Sequence, residues 1–301
     1  DNPDESFQTT ENKTEGSKAE SLMIAGLFVA EGKDFAELLA RIGDPYADEV
    51  LTAVKAMEGA VREHGWDGRW FLRAYDYYGR KIGSHENEEG KVFIESQGWC
   101  TMARIGAGEG LCDMALDSAK EYLECEHGLV LNSPAYTTYI KDYGEISSYP
   151  EGYKENAGIF CHNNPWIIIG EAAAGRADDA WRHYTKITPA FVKDQALRKV
   201  EPYVFCQMVA GKDAFRPGEG KNSWLTGTAA WTWKAVSEAL LGIKPQFDGL
   251  LIDPCMPAAY GTYKVVRRFR DAEYHLTVHY TGKGPHFIEY RPGKQVLEIE
   301  V

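Results

Sequence analysis

Two hydrophobic periods divide the chain, and no single layer of secondary structure satisfies both. Up to Leu241 apolar side chains recur at three- and four-residue steps, as at Val50, Val54, Met57 and Val61, which puts them on one helix face. After Gly242 the step drops to two: Lys264–Phe269, Tyr274–Tyr280 and Gln295–Glu300 alternate as strands do. The spacing predicts a helix from the capping-box sequence Ser17-Lys18-Ala19-Glu20 to the breaker Gly32, and a second from Asp44-Pro45 to Gly65. Further helices are expected over Ser96–Ile105, Leu111–Leu123, Ala157–Ala173, Asp178–Thr185 and Trp224–Leu241, with aromatic, strand-compatible sequence at Gly68–Tyr75. Helix pairs recurring about every 60 residues, with long Gly-, Pro- and Tyr-rich loops between them, suggest a toroid of α-hairpins rather than a solenoid. The expected architecture is mainly α over residues 1–247, then a small β domain over 248–301, joined through a linker at Ile243–Gly249.

Charge and cysteine usage narrow the function classes. Thirty-three basic against 45 acidic side chains leave a net charge of −12, which disfavours phosphate backbones and anionic lipid as general partners. No apolar run is long enough for a membrane span, and the acidic start Asp1-Asn2-Pro3-Asp4-Glu5 is unlike a signal peptide. Six scattered cysteines without a C-x-x-C pair read as reduced thiols, which fits a cytoplasmic protein. Residues 1–16 are polar and aperiodic, an odd way to open a domain.

Several formal motifs lack the context their chemistry needs. Gly106-Ala107-Gly108-Glu109-Gly110 joins helix to helix, so it is not a dinucleotide turn. Gly220-Lys221-Asn222 has no hydroxyl residue after the lysine, and His85-Glu86 has no second histidine four residues on. No His/Cys/Asp cluster has metal-ligand spacing, so neither a metal nor a cofactor is expected.

Three segments do carry usable chemistry. The loop Tyr143–Asn164 gathers Glu145, Glu151, Glu155, Lys154, Tyr149 and His162 ahead of an apolar helix. Carboxylates accept from sugar hydroxyls, lysine donates to them, and aromatic faces cover the apolar side of a sugar ring. His162 stands at a helix opening, where free N–H groups favour an anion. Thr226, Gly227 and Thr228 combine hydroxyls with bare backbone, which suits an oxyanion and equally a capped helix start. Gln207 is a lone amide in an apolar run and needs partners.

Those segments bear a family resemblance. Tyr149–Asn164, Glu201–Lys212 and Asn222–Trp231 closely resemble the cellobiose phosphorylase family, the inverting glycoside phosphorylases of glycoside hydrolase family 94. The likeness runs from Pro3–Phe7 through Trp70–Tyr75 to Ile252–Cys255. It implies part of an (α/α)6 barrel with the site at one mouth, followed by a small β domain. It implies phosphorolysis of cellobiose to α-glucose 1-phosphate and glucose, with inorganic phosphate as a substrate and a homodimeric assembly. It assigns His162, Gln207, Thr226 and Gly227 to phosphate, and Glu145, Tyr149, Lys154 and Glu155 to the sugars. The family's general acid is an Asp in a Trp-Asn-Asp-Cys motif, and no Trp-Asn-Asp occurs in this chain. The resemblance therefore places the acid upstream of Asp1 and implies an N-terminal part without which this chain is inactive and exposes apolar helix flanks. Two alternatives remain: a non-catalytic sugar- or phosphate-binding remnant, and a phosphorylase of another β-linked disaccharide or cellodextrin.

Overall fold

The computed structural model describes residues 19–301 apart from Tyr77. The polar lead-in over 1–16 and the Ser17–Lys18 half of the expected capping box lie outside the described residues. The first helix, α1 (Leu22–Arg41), is entered from extended backbone at Ser21. It runs straight through Gly32, which the sequence marks as its end. Gly32 instead lies where α1 crosses α2 (Tyr46–His64): a Cβ there would come within 2.6 Å of a Val54 methyl. The glycine permits close packing rather than ending the helix. Asp44 opens α2 as expected, its carboxylate accepting the Tyr46 N–H at 2.9 Å. Outward-facing Ile24, Phe28, Phe35 and Leu38 leave an apolar stripe on α1.

Helix α3 (Ile94–Met102) starts earlier than its pattern suggests, and α4 (Leu111–Leu123) spans the expected residues. Gly106 (φ 65°) and Gly110 (φ 78°) turn the chain between them in left-handed backbone. The helix expected over Ala157–Ala173 is realised only as α5 (Asn164–Ala173). A helix begun at Ala157 would hold Pro165 in its interior, whereas a start at Asn164 puts proline in the tolerated first turn. Ile159–Phe160 form instead the short strand β1. Helix α6 (Ala177–Ile187) follows the break at Gly175, and the single turn α7 (Gln195–Arg198) is capped by Asp194, which accepts the Leu197 N–H at 2.9 Å.

Strands β2 (Cys206–Val209) and β3 (Gly220–Ser223) join β1 in an antiparallel sheet with β2 in the middle. The last helix, α8 (Thr228–Lys234), passes into a π-helical turn over Ala235–Leu240. It starts later than Trp224 because Asn222 (φ 53°) and Trp224 (φ 68°) hold left-handed backbone that no helix accommodates. Helix α3 packs on α1 and α5, and α5 on α6 and the π-helical turn. Gly98 of α3 allows the approach to α5, since a Cβ there would lie 2.7 Å from Trp166 Cβ.

The stretch read as a linker is structured: β4 (Ile243–Gln246) forms a hairpin with β5 (Gly249–Ile252). The β-pattern of the C-terminal residues holds, with β6 (Thr262–Phe269), β7 (Ala272–His279), β8 (His286–Glu289) and β9 (Gly293–Glu300). Strands β6, β7 and β9 make one sheet, with β7 and β9 parallel, while β4, β5 and β8 make another. Ile243, Leu250, Ile252 and Ile288 pack with Tyr274, Leu276, Val278 and Ile299 in one core. None of the six cysteines forms a disulfide. Among the described residues no helix is long and apolar enough to cross a membrane, and no acidic, histidine or cysteine side chains cluster as a metal site would need.

Candidate active site

The three-stranded sheet sets the position of most chemistry-bearing residues. Gln207 lies on the central strand β2, His162 follows β1, and Asn222 sits on β3. The Cys161 N–H donates to the Gln207 carbonyl at 3.0 Å, fixing the chain just ahead of His162. The Gln207 side-chain oxygen accepts from Lys154 Nζ at 3.3 Å and from Asn222 Nδ2 at 2.8 Å. With its oxygen doubly engaged, the Gln207 amide nitrogen donates to no acceptor among the described residues. Lys154 itself holds left-handed backbone (φ 51°), and its N–H points at the Met208 sulfur, 2.8 Å away.

The loop that carries the sugar candidates is anchored rather than slack. The buried Asn156 amide donates to the carbonyls of Tyr136 and Tyr149, each at 2.8 Å, and accepts the Tyr136 N–H at 2.7 Å. Ser147 ties the loop's start to the Ile140 N–H at 2.8 Å. Burial, followed by the charges of Glu155 and Glu145, pushes the Tyr149 phenol up, so these three side chains share one electrostatic neighbourhood. Glu145 is exposed, beside a shallow depression that it lines with Tyr139, Gly144 and Ser148.

Glu155 Oε2 is buried without a hydrogen-bond partner, and so is Glu95 Oε2 at the start of α3. Burial pushes the Glu95 carboxyl up against the opposing pull of Arg73, 3.6 Å away, and the charge of Glu155 adds to the rise. Buried polar atoms without partners are rare, and two carboxylates with open lone pairs form an acceptor surface for hydroxyls. Sequence reasoning missed Glu95 and Arg73. The signal was present: an acidic residue within Val92-Phe93-Ile94-Glu95, where an amphipathic pattern would place none.

The anion side rests on tryptophans. Trp99 of α3, Trp166 of α5 and Trp231 of α8 contact one another at ring-centroid distances of 5.4, 5.6 and 5.8 Å. The His162 ring meets Trp166 edge-on at 5.7 Å and Phe160 at 5.6 Å. A Cβ on Gly227 would meet only Trp231, at 3.9 Å, so the backbone there faces open space. His162 and Gly227 thus flank the same Trp166–Trp231 contact. Burial lowers the His162 pKa, leaving a neutral ring with one donor at neutral pH. The Thr226 hydroxyl accepts the Thr228 N–H at 3.0 Å and meets the Thr228 hydroxyl at 2.5 Å, a local turn just ahead of α8, whose N-cap Gly227 has no side chain to offer. The indole N–H groups of Trp99 and Trp166 and the Asn163 side-chain oxygen are buried without partners.

The eight residues singled out in sequence thus fall into linked groups. Lys154 touches Gln207, Tyr149 shares the charges of Glu145 and Glu155, and His162 joins Gly227 through the tryptophans, with Thr226 next in chain. Open donors lie on the sheet and on the tryptophans, and open carboxylate oxygens at Glu95 and Glu155. Such an arrangement can hold an anion against a polyhydroxylated ring.

The model of the glycosyl hydrolase 94 superfamily catalytic domain matches residues 6–242, and the chain belongs to that family. It is 36% identical to an N,N'-diacetylchitobiose phosphorylase of Vibrio furnissii, a match covering 86% of this chain and 33% of that protein. It is 33% identical to a solabiose phosphorylase of Paenibacillus borealis over 87% of this chain and 34% of that one. The chain therefore spans about a third of the length of these curated relatives. A solved sialidase shares the fold with a TM-score of 0.55 at 10% identity, over 80% of this chain and 22% of that one.

Proposed function

We propose that the protein containing this chain phosphorolyses a β-linked disaccharide with inversion, cellobiose being the first substrate to test. The helices would form part of an (α/α)6 barrel, with the β strands beyond Gly242 packed after it. A phosphate oxygen attacks the anomeric carbon while the bond to the leaving glucose oxygen breaks, giving α-glucose 1-phosphate and glucose. Phosphate stands where an inverting hydrolase holds activated water, and it carries its own charge, so no protein base is required. A carboxylic acid must supply the proton to the departing oxygen. Gln207, His162, Thr226 and Gly227 hold the phosphate; Glu155, Glu145, Tyr149 and Lys154 hold the sugars.

The observation that carries this reading is the Lys154–Gln207–Asn222 junction. It ties the loop that carries the sugar-side residues to the strand beside His162 and leaves amide donors open. Relatives named as phosphorylases of N,N'-diacetylchitobiose, solabiose and cellobionic acid support a disaccharide substrate and leave its identity to experiment. The test is initial rate against phosphate concentration for cellobiose, laminaribiose and N,N'-diacetylchitobiose. Saturable phosphate dependence with sugar phosphate as product is expected. Sugar release indifferent to phosphate would mean a hydrolase on the same fold, and no turnover with binding retained would mean a non-catalytic remnant.

A further inference from the structure

A cavity of mixed polar and apolar lining lies away from these residues. It has a volume of about 590 Å³, and Glu126, His127, Lys186, Lys193, Asp194 and Arg198 contribute to its wall. Arg198 is 6% exposed, yet its guanidinium has no ion pair or hydrogen bond with any side chain or carbonyl of the described residues. Its stem packs over Gly220, where a Cβ would lie 3.2 Å from Arg198 Cδ. Arg198 lines both this cavity and a narrower one beside Cys206 of β2. A narrow extension lined by Pro189, Glu201 and Cys206 meets the main cavity at Arg198. The guanidinium nitrogens are not shut off from solvent, so they can offer donors to a ligand in the cavity, and planar donors of this kind match a phosphoryl group in two-point fashion.

Among the described residues no other charge of the wall pairs with Arg198. Lys186 is committed to Glu124 at 2.8 Å. Asp194 spends an oxygen on the Leu197 N–H, and Glu126 is exposed at the mouth. Lys193 is exposed and forms no ion pair among the described residues, so it adds a second available cation. Phe191 presents an exposed ring on the same wall, and the volume is that of a pocket for a small organic molecule rather than for a lone ion. Alternation along β2 sends Cys206 and Gln207 to opposite faces, so the cavity backs onto the strand that carries Gln207 without sharing its face.

We propose that this cavity binds a sugar phosphate, its phosphoryl group on Arg198 and Lys193 and its ring against Phe191. It is separate from the site around His162 and does not require that site to be catalytic. The test is calorimetric titration of the full-length protein carrying His162→Ala, with α-glucose 1-phosphate, inorganic phosphate and glucose as probes. One equivalent of glucose 1-phosphate should still bind. Adding Arg198→Gln should weaken that binding at least tenfold, and adding Lys193→Gln, an exposed change that the fold tolerates, should weaken it severalfold. Neutral glucose should show neither effect. Loss of all sugar phosphate binding in His162→Ala, or affinity unmoved by Lys193→Gln, would overturn the proposal. Binding of inorganic phosphate with sugar phosphate excluded would overturn it too. Absence of phosphorolysis in the unaltered protein, with this binding intact, would count against the catalytic reading alone.

Discussion

The proposed reaction gives His162 and Lys154 different tasks. His162 is held by two aromatic edges beside open backbone at Gly227, so its removal should act on the anion. His162→Ala should weaken use of phosphate by about 10²-fold, as loss of one transition-state donor does. The check is kcat/KM for phosphate at saturating disaccharide; an unchanged value would remove the ring from the anion site. Lys154 donates to Gln207 and keeps two further N–H bonds for a ligand. Lys154→Ala should mainly impair the acceptor sugar, raising KM for glucose in the synthetic direction. Normal acceptor kinetics would show that the loop does not hold the leaving sugar. These residues were legible because their types are improbable in their settings: a lone amide in an apolar run, and three glutamates with a lysine in an aliphatic-poor loop. Glu95 carried a signal of the same kind, an acid in an apolar run, but its unpartnered oxygen and the Arg73 beside it show only in the packing.

Between elements, the strongest polar tie joins α4, α5 and α6. Glu171 and His183 are fully buried, with His183 Nδ1 2.9 Å from the Glu171 carboxylate and Nε2 3.4 Å from Glu124. Burial opposes the proton on His183, but hydrogen bonds to the two carboxylates outweigh it, and the net pKa is raised. His183→Leu leaves the buried Glu171 without its partner and should cost about 3 kcal/mol. Because the folded pKa is raised, the stabilisation is complete below the unfolded value of about 6.5 and is lost as pH rises through the folded value. The Tm gap between the unaltered chain and His183→Leu should therefore narrow on going from acid to alkaline buffer. A gap that widened would contradict the assignment. Helix α4 and the C-terminal strands were readable from period alone, since nothing local opposes the pattern. The boundaries that moved did so where backbone geometry overrode hydrophobicity: Pro165 delayed α5, left-handed Asn222 and Trp224 delayed α8, and Gly32 served a helix crossing.

For the whole molecule, His162 links the sheet of β1, β2 and β3 to the tryptophans, since it follows β1 and its ring meets Trp166. Asn156 locks the loop to the Tyr136 segment and to its own Tyr149 carbonyl through three hydrogen bonds. The sequence could announce the loop and the strand separately, but not that Lys154 would reach Gln207 across them, because that contact depends on left-handed backbone at Lys154. The central claim is that phosphate enters this mouth and attacks from the face opposite the departing sugar. The most direct measurement is proton and phosphorus NMR of the first product formed from cellobiose by the full-length protein in phosphate buffer. The account predicts α-glucose 1-phosphate appearing from the start in step with glucose. The β anomer, or two molecules of glucose with no phosphate ester, would contradict it.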